Sequence, residues 1–82
     1  MRMDLADLRL FIAIVDSGSI TGGAAMAHLA LASASERVRK LEAEVGVPLL
    51  QRHARGVTLT EAGEVLARHA RPLLEQQQRL RQ

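Results

Sequence analysis

Apolar residues recur with helical spacing in the first part of the chain, and the pattern predicts two successive helices. In the first, over residues 5–17, the apolar positions share one face and fall at Leu5, Leu8, Phe11, Ile12 and Val15. An aspartate at Asp4 or Asp7 favours its N-terminus. The second helix is alanine-rich and is predicted from about residue 19 to residue 28 or 29, with Ser19 or Thr21 as its N-cap.

A third helix and a small hairpin are predicted next. After a short link at residues 30–32, a helix near residues 33–45 has the inward stripe Ala34, Val38, Leu41 and Val45. Gly46 suits the left-handed conformation at a helix end, and Pro48 prevents continuation. Two short strands are then predicted at Leu49–Arg52 and Val57–Leu59. Gly56, in the loop between them, can adopt a positive φ.

The last helix is predicted to start near Thr60, a good N-cap, and to run to the chain end. Pro72 removes one backbone donor, so we expect a bend at that point and not a stop. Leucines repeat at every seventh position along this helix, which is typical of a short coiled-coil seam. A helix of this length has too little domain to pack against, so a second copy of the chain is the expected partner. The dimerisation residues predicted from this pattern are Leu66, Ala70, Leu73 and Leu80.

Length and composition limit the possible classes of protein. The chain has 82 residues, enough for one small domain, and no cysteine that could form a disulfide or thiolate metal site. No apolar run approaches the roughly 20 residues needed to span a bilayer, and no signal peptide is visible, so we expect a cytoplasmic protein. The three histidines lie in separate elements, and no nucleophile–base set or phosphate-binding glycine motif is present. Neither a metal site nor enzymatic activity is expected.

The net charge of +2 is a weak signal, but its distribution is informative. Residues 1–34 carry two arginines against three aspartates, a balance of −1, whereas residues 37–55 carry five basic against two acidic residues, a balance of +3. Positive charge is therefore concentrated on the third helix and the hairpin, where a phosphate backbone would lie. A merely solvated face would explain the charge equally well if it stood alone.

Three helices followed by a hairpin, with a tight link between the second and third helices, form a winged helix-turn-helix arrangement. Its third helix fits the major groove. The candidate DNA-contacting residues on that helix are Ser33, Ser35, Glu36, Arg39 and Lys40. Ser19 and Thr21 would donate to phosphate together with the N-terminus of the second helix. Arg52 and Arg55 would flank the backbone or reach the minor groove from the wing.

These candidates have structural alternatives, which the sequence leaves open. Ser33 and Glu36 match an S-x-x-E capping box, so Glu36 could close the helix start instead of accepting a hydrogen bond from a cytosine amino group. Arg39 and Lys40 could be surface charges that pair with nearby acids. Arg52 could form an internal ion pair.

Several short motifs resemble the DNA-binding domain of LysR-type transcriptional regulators along nearly the whole chain. They are Leu8-x-x-Phe11, Gly18-Ser19-Ile20-Thr21, Ala24-x-x-x-His28-Leu29, Ser35-x-x-Val38-x-x-Leu41-Glu42, Leu49-Leu50-x-Arg52 and Leu59-Thr60-x-Ala62-Gly63. The block at residues 41–63 is the most specific. The resemblance implies a bacterial transcription factor that dimerises through its last helix. It also implies a sensor domain outside this chain that binds a small-molecule inducer, with no cofactor in the chain itself.

The chain departs from this family where bases would be read. Ala30-Leu31-Ala32-Ser33 replaces the family's Ser-Gln-Pro-Ala-like start of the recognition helix. Glu36 stands where arginine, glutamine or histidine is common, and Gly22 replaces a polar residue. Base contacts carried over to Leu31 and Ala32 are therefore in doubt, and specificity would depend more on Ser33, Ser35, Glu36 and DNA shape. The phosphate contacts carried over to Thr21 and Arg52 are unaffected.

The sequence thus predicts a mainly α protein: a winged helix-turn-helix over residues 1–59 and a linker and dimerisation helix over residues 60–82. The predicted function is sequence-specific binding of double-stranded operator DNA by a homodimer, with no membrane partner. Two alternatives remain, a protein-interaction or dimerisation module and a DNA binder of low specificity. Salt dependence of binding distinguishes the first of these from a DNA-binding protein.

Overall fold

The computed structural model describes residues 4–81 and contains four helices and one hairpin within that range. The elements are α1 Leu5–Ser17, α2 Ile20–Met26, α3 Leu31–Val45, β1 Leu50–His53, β2 Gly56–Leu59 and α4 Glu61–Leu80. This is the predicted order of elements, with α2 and α3 forming a helix-turn-helix and β1–β2 the wing.

Helix α1 has the predicted bounds, but its buried face is shifted from the predicted one. The Asp4 side chain caps it by accepting from the backbone N–H of Asp7, and Gly18 ends it in the left-handed conformation. Phe11 and Ile14 are completely buried, with Leu8 and Leu10 nearly so, whereas Ile12 and Val15 are only half-buried and Leu5 is exposed. The predicted stripe missed Leu10 and Ile14 because α1 is covered on more than one side. Helices α2 and α3 pack against it, and so does α4.

The turn between α2 and α3 lies earlier than predicted. Helix α2 ends at Met26, since the chain then turns through His28, which has a φ of 58°. Helix α3 begins at Leu31 after an extended Ala30 that offers no side-chain cap. The predicted helix start at Ser33, and with it the capping box formed with Glu36, is therefore wrong. The predicted inward stripe is confirmed, with Ala34, Val38 and Leu41 buried and Val45 packed against the core.

The wing is a two-stranded antiparallel hairpin whose register pairs Leu50 with Leu59 and His53 with Gly56. Its loop contains only residues 54–55, one residue fewer at each end than predicted. Gly56 has a φ of 135°, and a Cβ at this position would collide with the carbonyl oxygen of Gly18. The loop end of the wing can therefore lie against the end of α1 only because position 56 is glycine.

Helix α4 begins as predicted, with the Thr60 hydroxyl accepting from the N–H of Gly63, and it continues through Pro72. Its first half belongs to the core. Gly63 lies so close to the carbonyl oxygen of Leu49 that no side chain fits, and Ala67 and Ala70 are buried. Two longer-range contacts join its second half to α1, one from Arg71 to Asp16 and one from Arg9 to Gln77.

Candidate nucleic-acid interface

The outer surface of α3 carries most of the candidates predicted on that helix. Ser33, Glu36, Arg39 and Lys40 are exposed, whereas Ser35 is half-buried at one edge. The surface lies opposite the inward stripe because a helix places residues three or four apart on one face. Arg37, which contributed to the predicted basic cluster, is directed instead towards α1, 3.8 Å from the Asp7 carboxylate.

Glu36 and Arg39 form a two-point ion pair on this surface. Nε of Arg39 donates to Oε1 of Glu36 at 3.0 Å, and Nη2 donates to Oε2 at 2.6 Å. The hydrogen bonds from Arg39 lower the pKa of Glu36 below its ordinary value of 4.5, and the same bonds raise the pKa of Arg39. Both groups are therefore charged at neutral pH. Arg39 pairs with a nearby acid, one of the alternatives left open by the sequence.

The first turn of α2 adjoins the wing. Ser19 is the N-cap of α2, because its hydroxyl oxygen accepts from the N–H of Gly22 at 2.9 Å. This bond leaves the hydroxyl proton of Ser19 as a donor. Thr21 is exposed, and its hydroxyl makes no hydrogen bond to another side chain or backbone group between residues 4 and 81. The structure thus assigns the cap to Ser19 and not to Thr21.

Arg52 and Arg55 extend from the wing into solvent. Within residues 4–81, the ion pairs of the structure join Arg37 to Asp7, Arg39 to Glu36 and Arg71 to Asp16. Arg52 therefore has no ion pair in the part of the chain that the structure describes, which removes the internal role considered for it. The wing presents two cations without acidic partners in that range.

The position of the wing relative to α3 depends on Glu42, which was not predicted as a functional residue. Its carboxylate oxygen Oε2 accepts from the N–H of Leu49 at 2.7 Å and from that of Leu50 at 3.2 Å. A second link joins the N–H of Val57 to the carbonyl oxygen of Gly18 at 2.9 Å. In the sequence, Glu42 stood out only as part of the Leu41-Glu42 motif of the family resemblance. That resemblance assigned no role to Glu42.

The dimerisation residues predicted on α4 do not share one surface. Ala70 is completely buried against the protein's own core, so its assignment to a dimer seam is wrong. Leu66 is half-buried and packs against the core, whereas Leu73 is 53% exposed and Leu80 is 88% exposed. Val65, which was not predicted, is a further exposed apolar side chain on this helix. The buried alanine face and the exposed leucine stripe are neighbouring sides of one helix.

The arrangement therefore combines an exposed polar helix face with two exposed arginines on an adjoining hairpin. Such a surface can bind a polyanion through the arginines and present hydrogen-bonding side chains in a groove. Between residues 4 and 81 no helix is both long and apolar enough to cross a membrane.

Comparison with known proteins gives consistent matches. The family of bacterial regulatory helix-turn-helix proteins described as the lysR family matches residues 5–64. The chain is 47% identical over 74 residues to the nitrogen assimilation regulatory protein nac of Klebsiella aerogenes, covering 90% of this chain and 24% of that protein. It is 40% identical over 79 residues to the transcriptional activator IlvY of Salmonella typhimurium, covering 96% of this chain and 27% of that protein. The chain thus spans about a quarter of the length of these relatives.

Solved structures share the fold. The DNA-binding domain of CbnR in complex with DNA matches with a TM-score of 0.87 at 35% identity, covering 94% of this chain and 88% of that one. The DNA-binding domain of BenM in complex with benA site 1 DNA matches with a TM-score of 0.88 at 33% identity, covering 95% of this chain and 91% of that one. The winged helix-turn-helix fold predicted from the sequence is confirmed.

Proposed function

Because the chain belongs to the lysR family of bacterial regulatory helix-turn-helix proteins, we propose that it binds double-stranded operator DNA as the DNA-binding domain of a transcriptional regulator. Helix α3 would enter the major groove, and the wing would contact the backbone or the minor groove. The observation that carries this proposal is the wing, where Arg52 and Arg55 are exposed without acidic partners in residues 4–81 next to the polar face of α3. Solved DNA complexes of the similar CbnR and BenM domains support it.

The predicted contacts fall into two groups. Thr21, Arg52 and Arg55, with the free hydroxyl proton of Ser19, are proposed to contact phosphates and to set the position of the domain on DNA. The residues proposed to face bases are Ser33, Ser35, Glu36 and Arg39, with Lys40 beside them. Lys40 and the wing arginines would supply the electrostatic part of the affinity.

We further propose that two chains associate through the exposed apolar stripe of α4. Leu73 and Leu80 support this proposal, since they are large, apolar, exposed and seven residues apart on one helix. Two domains held in this way would bind two half-sites of a partly palindromic operator. We also propose, on the family resemblance, that any small-molecule inducer binds a part of the regulator other than this chain and that the regulator acts in the cytoplasm.

The DNA-binding proposal is tested by measuring affinity for a duplex pool and for selected sequences over a range of salt concentrations. We expect affinity to fall steeply as salt rises, because phosphate contacts release counterions. Arg52→Ala should weaken binding to all sequences and reduce the slope of log affinity against log salt by about 1. The matched control is Arg79→Ala, which removes the same charge from the far end of α4.

Absence of binding at low salt, or affinity that does not change with salt, would contradict the DNA-binding role and favour a protein-interaction module. Equal affinity for every duplex would instead favour a binder of low specificity.

The dimer is tested by sedimentation of Leu73→Glu. A charge in the apolar stripe should shift the chain towards monomer, because an ionised carboxylate would have to be buried without a partner. Gln78→Glu places the same charge on another side of α4 and should leave the association unchanged. A Leu73→Glu chain that remains dimeric would show that the interface lies elsewhere.

A further inference from the structure

Glu36 and Arg39 form an ion pair on the surface of α3 that is proposed to contact DNA. An acid on the face that meets DNA would be repelled by phosphates, but here it is bound at two points by the arginine one turn later. We propose that Glu36 and Arg39 form a single reading unit, in which Glu36 positions Arg39 to donate two hydrogen bonds to the O6 and N7 atoms of a guanine. This inference rests on the DNA-binding role proposed above.

The hydrogen-bond geometry leaves the required donors available. A guanidinium has five N–H groups in a fixed plane. Glu36 occupies the edge formed by Nε and Nη2 of Arg39, at 3.0 Å and 2.6 Å. The end of the guanidinium formed by Nη1 and the second N–H of Nη2 therefore keeps a parallel pair of donors. Such a pair matches the two acceptors that guanine presents in the major groove.

The position of the pair on α3 favours a base contact. Both side chains are well exposed, Arg39 at 66% and Glu36 at 51% of the side chain. Helical side chains are directed towards the N-terminus of their helix, so Arg39 extends over the turn that carries Glu36. The N-terminal turns of a recognition helix are the ones that approach base edges. Arg39, although it lies in the third turn of α3, is therefore presented at the part of the helix that reads DNA.

The electrostatics of the pair favour a base over a phosphate. The two opposite charges lie within hydrogen-bond distance, so the pair adds no net positive charge to the interface. Moving Arg39 to a phosphate would break this pairing and leave the Glu36 carboxylate uncompensated beside the negatively charged backbone. Binding guanine through the free donors keeps the ion pair intact. The pair should therefore contribute to sequence preference and little to the salt dependence of binding.

The proposal is tested by selecting bound sequences from a random duplex pool with the wild-type chain, Arg39→Lys and Glu36→Gln. We expect the wild-type chain to select a guanine at one position per half-site. Arg39→Lys keeps the charge but loses the planar fork, and it should reduce the preference for that guanine by roughly 5- to 150-fold while other positions are unchanged. Glu36→Gln should also reduce that preference and should increase the salt slope by about 1, because Arg39 becomes free to bind phosphate.

The matched control is Glu44→Gln, which removes the same charge from another exposed face of α3. It should leave the selected sequence unchanged. Salt-dependent binding with the guanine preference retained in both Arg39→Lys and Glu36→Gln would overturn the reading unit and leave the DNA-binding role intact. If the wild-type chain bound no DNA sequence at low salt, that result would contradict the DNA-binding role itself.

Discussion

The contacts between the wing and the helices are built differently from the outer face of α3. Where the wing contacts the helices, backbone packs against backbone: the N–H of Val57 donates to the carbonyl oxygen of Gly18, and Gly63 lies against the carbonyl oxygen of Leu49. On the outer face of α3, Glu36 and Arg39 pair with each other, and neither forms an ion pair with any other residue between 4 and 81. In the first region there is no room for a larger side chain, whereas side chains in the second can be replaced without displacing the backbone.

This difference separates stability from recognition. Substitutions at the contacts between the wing and the helices should lower the free energy of unfolding, and DNA binding should suffer only as a consequence. Substitutions on the outer face of α3 should change which DNA is bound and leave the free energy of unfolding nearly constant.

Gly63→Ala should cause the largest loss of stability. The new Cβ would collide with the backbone carbonyl of Leu49, which cannot move away as a flexible side chain would. We expect the free energy of unfolding in urea to fall by about 3 kcal/mol, at the upper end of the usual cost of overpacking. Gly46→Ala is the control. Gly46 has a φ of 90° but open space around it, so only backbone strain of about 1–2 kcal/mol is expected. Equal losses in the two variants would contradict the close-approach explanation.

Glu42→Ala should have the next largest effect. It leaves the N–H groups of Leu49 and Leu50 without their acceptor at a partly buried position. The expected cost is about 1–3 kcal/mol, measured by urea denaturation. Glu42→Gln keeps one acceptor oxygen and should lose less. If Glu42→Ala were as stable as the wild type, water would satisfy both groups and Glu42 would not hold the wing.

Ser19→Ala should cost about 1 kcal/mol, because α2 loses the cap that accepts from Gly22. The measurement is the midpoint of urea unfolding. Ser19→Asp restores a capping acceptor and should recover most of the loss. Thr21→Ala serves as a comparison, since its hydroxyl makes no hydrogen bond to another side chain or backbone group in residues 4–81. A larger effect from Thr21→Ala than from Ser19→Ala would reassign the cap.

Arg39→Ala should have the smallest effect on stability, and that effect should depend on pH. Arg39 holds the pKa of Glu36 below its ordinary value of 4.5 in the folded chain. A carboxyl with a lowered folded pKa stabilises the protein above its unfolded pKa and loses that contribution as pH falls through the folded value. The difference in thermal midpoint between wild type and Arg39→Ala should therefore be small at pH 7 and disappear in more acidic solution. A difference that grows on acidification would contradict the pairing.

Much of this architecture follows from local sequence signals. The bounds of α1, the N-cap at Thr60 and the stop at Gly46 were all predictable, because each depends on residues adjacent in sequence. The inward stripe of α3 was predictable for the same reason, since one apolar face is covered by one set of neighbours.

The sequence-based predictions were wrong where contacts between residues distant in sequence determine the structure. Ala30 caps α3 without a side-chain hydrogen bond, so the serine at Ser33 gave a false start signal. Ala70 fits the spacing of the leucines, but it is completely buried in the fold. The spacing alone does not indicate which side of α4 packs against the core. The sequence allowed Glu36 either to close a capping box or to pair with a nearby basic residue. The start of α3 at Leu31 removes the capping box, and Glu36 pairs with Arg39.

The contact between Val57 and Gly18 also has a consequence for the order of folding. It joins segments separated by two helices and a strand, whereas α1, α2 and α3 pack on near neighbours in the chain. Closing a long loop costs entropy that must be paid before the contact is rewarded, so we expect the three helices to collapse first and the wing to dock late. A Gly56→Ala substitution, which obstructs this contact, should then speed unfolding and leave the folding rate almost unchanged in urea-jump kinetics. On this view the wing docks after the three helices have packed, and it opens before they separate.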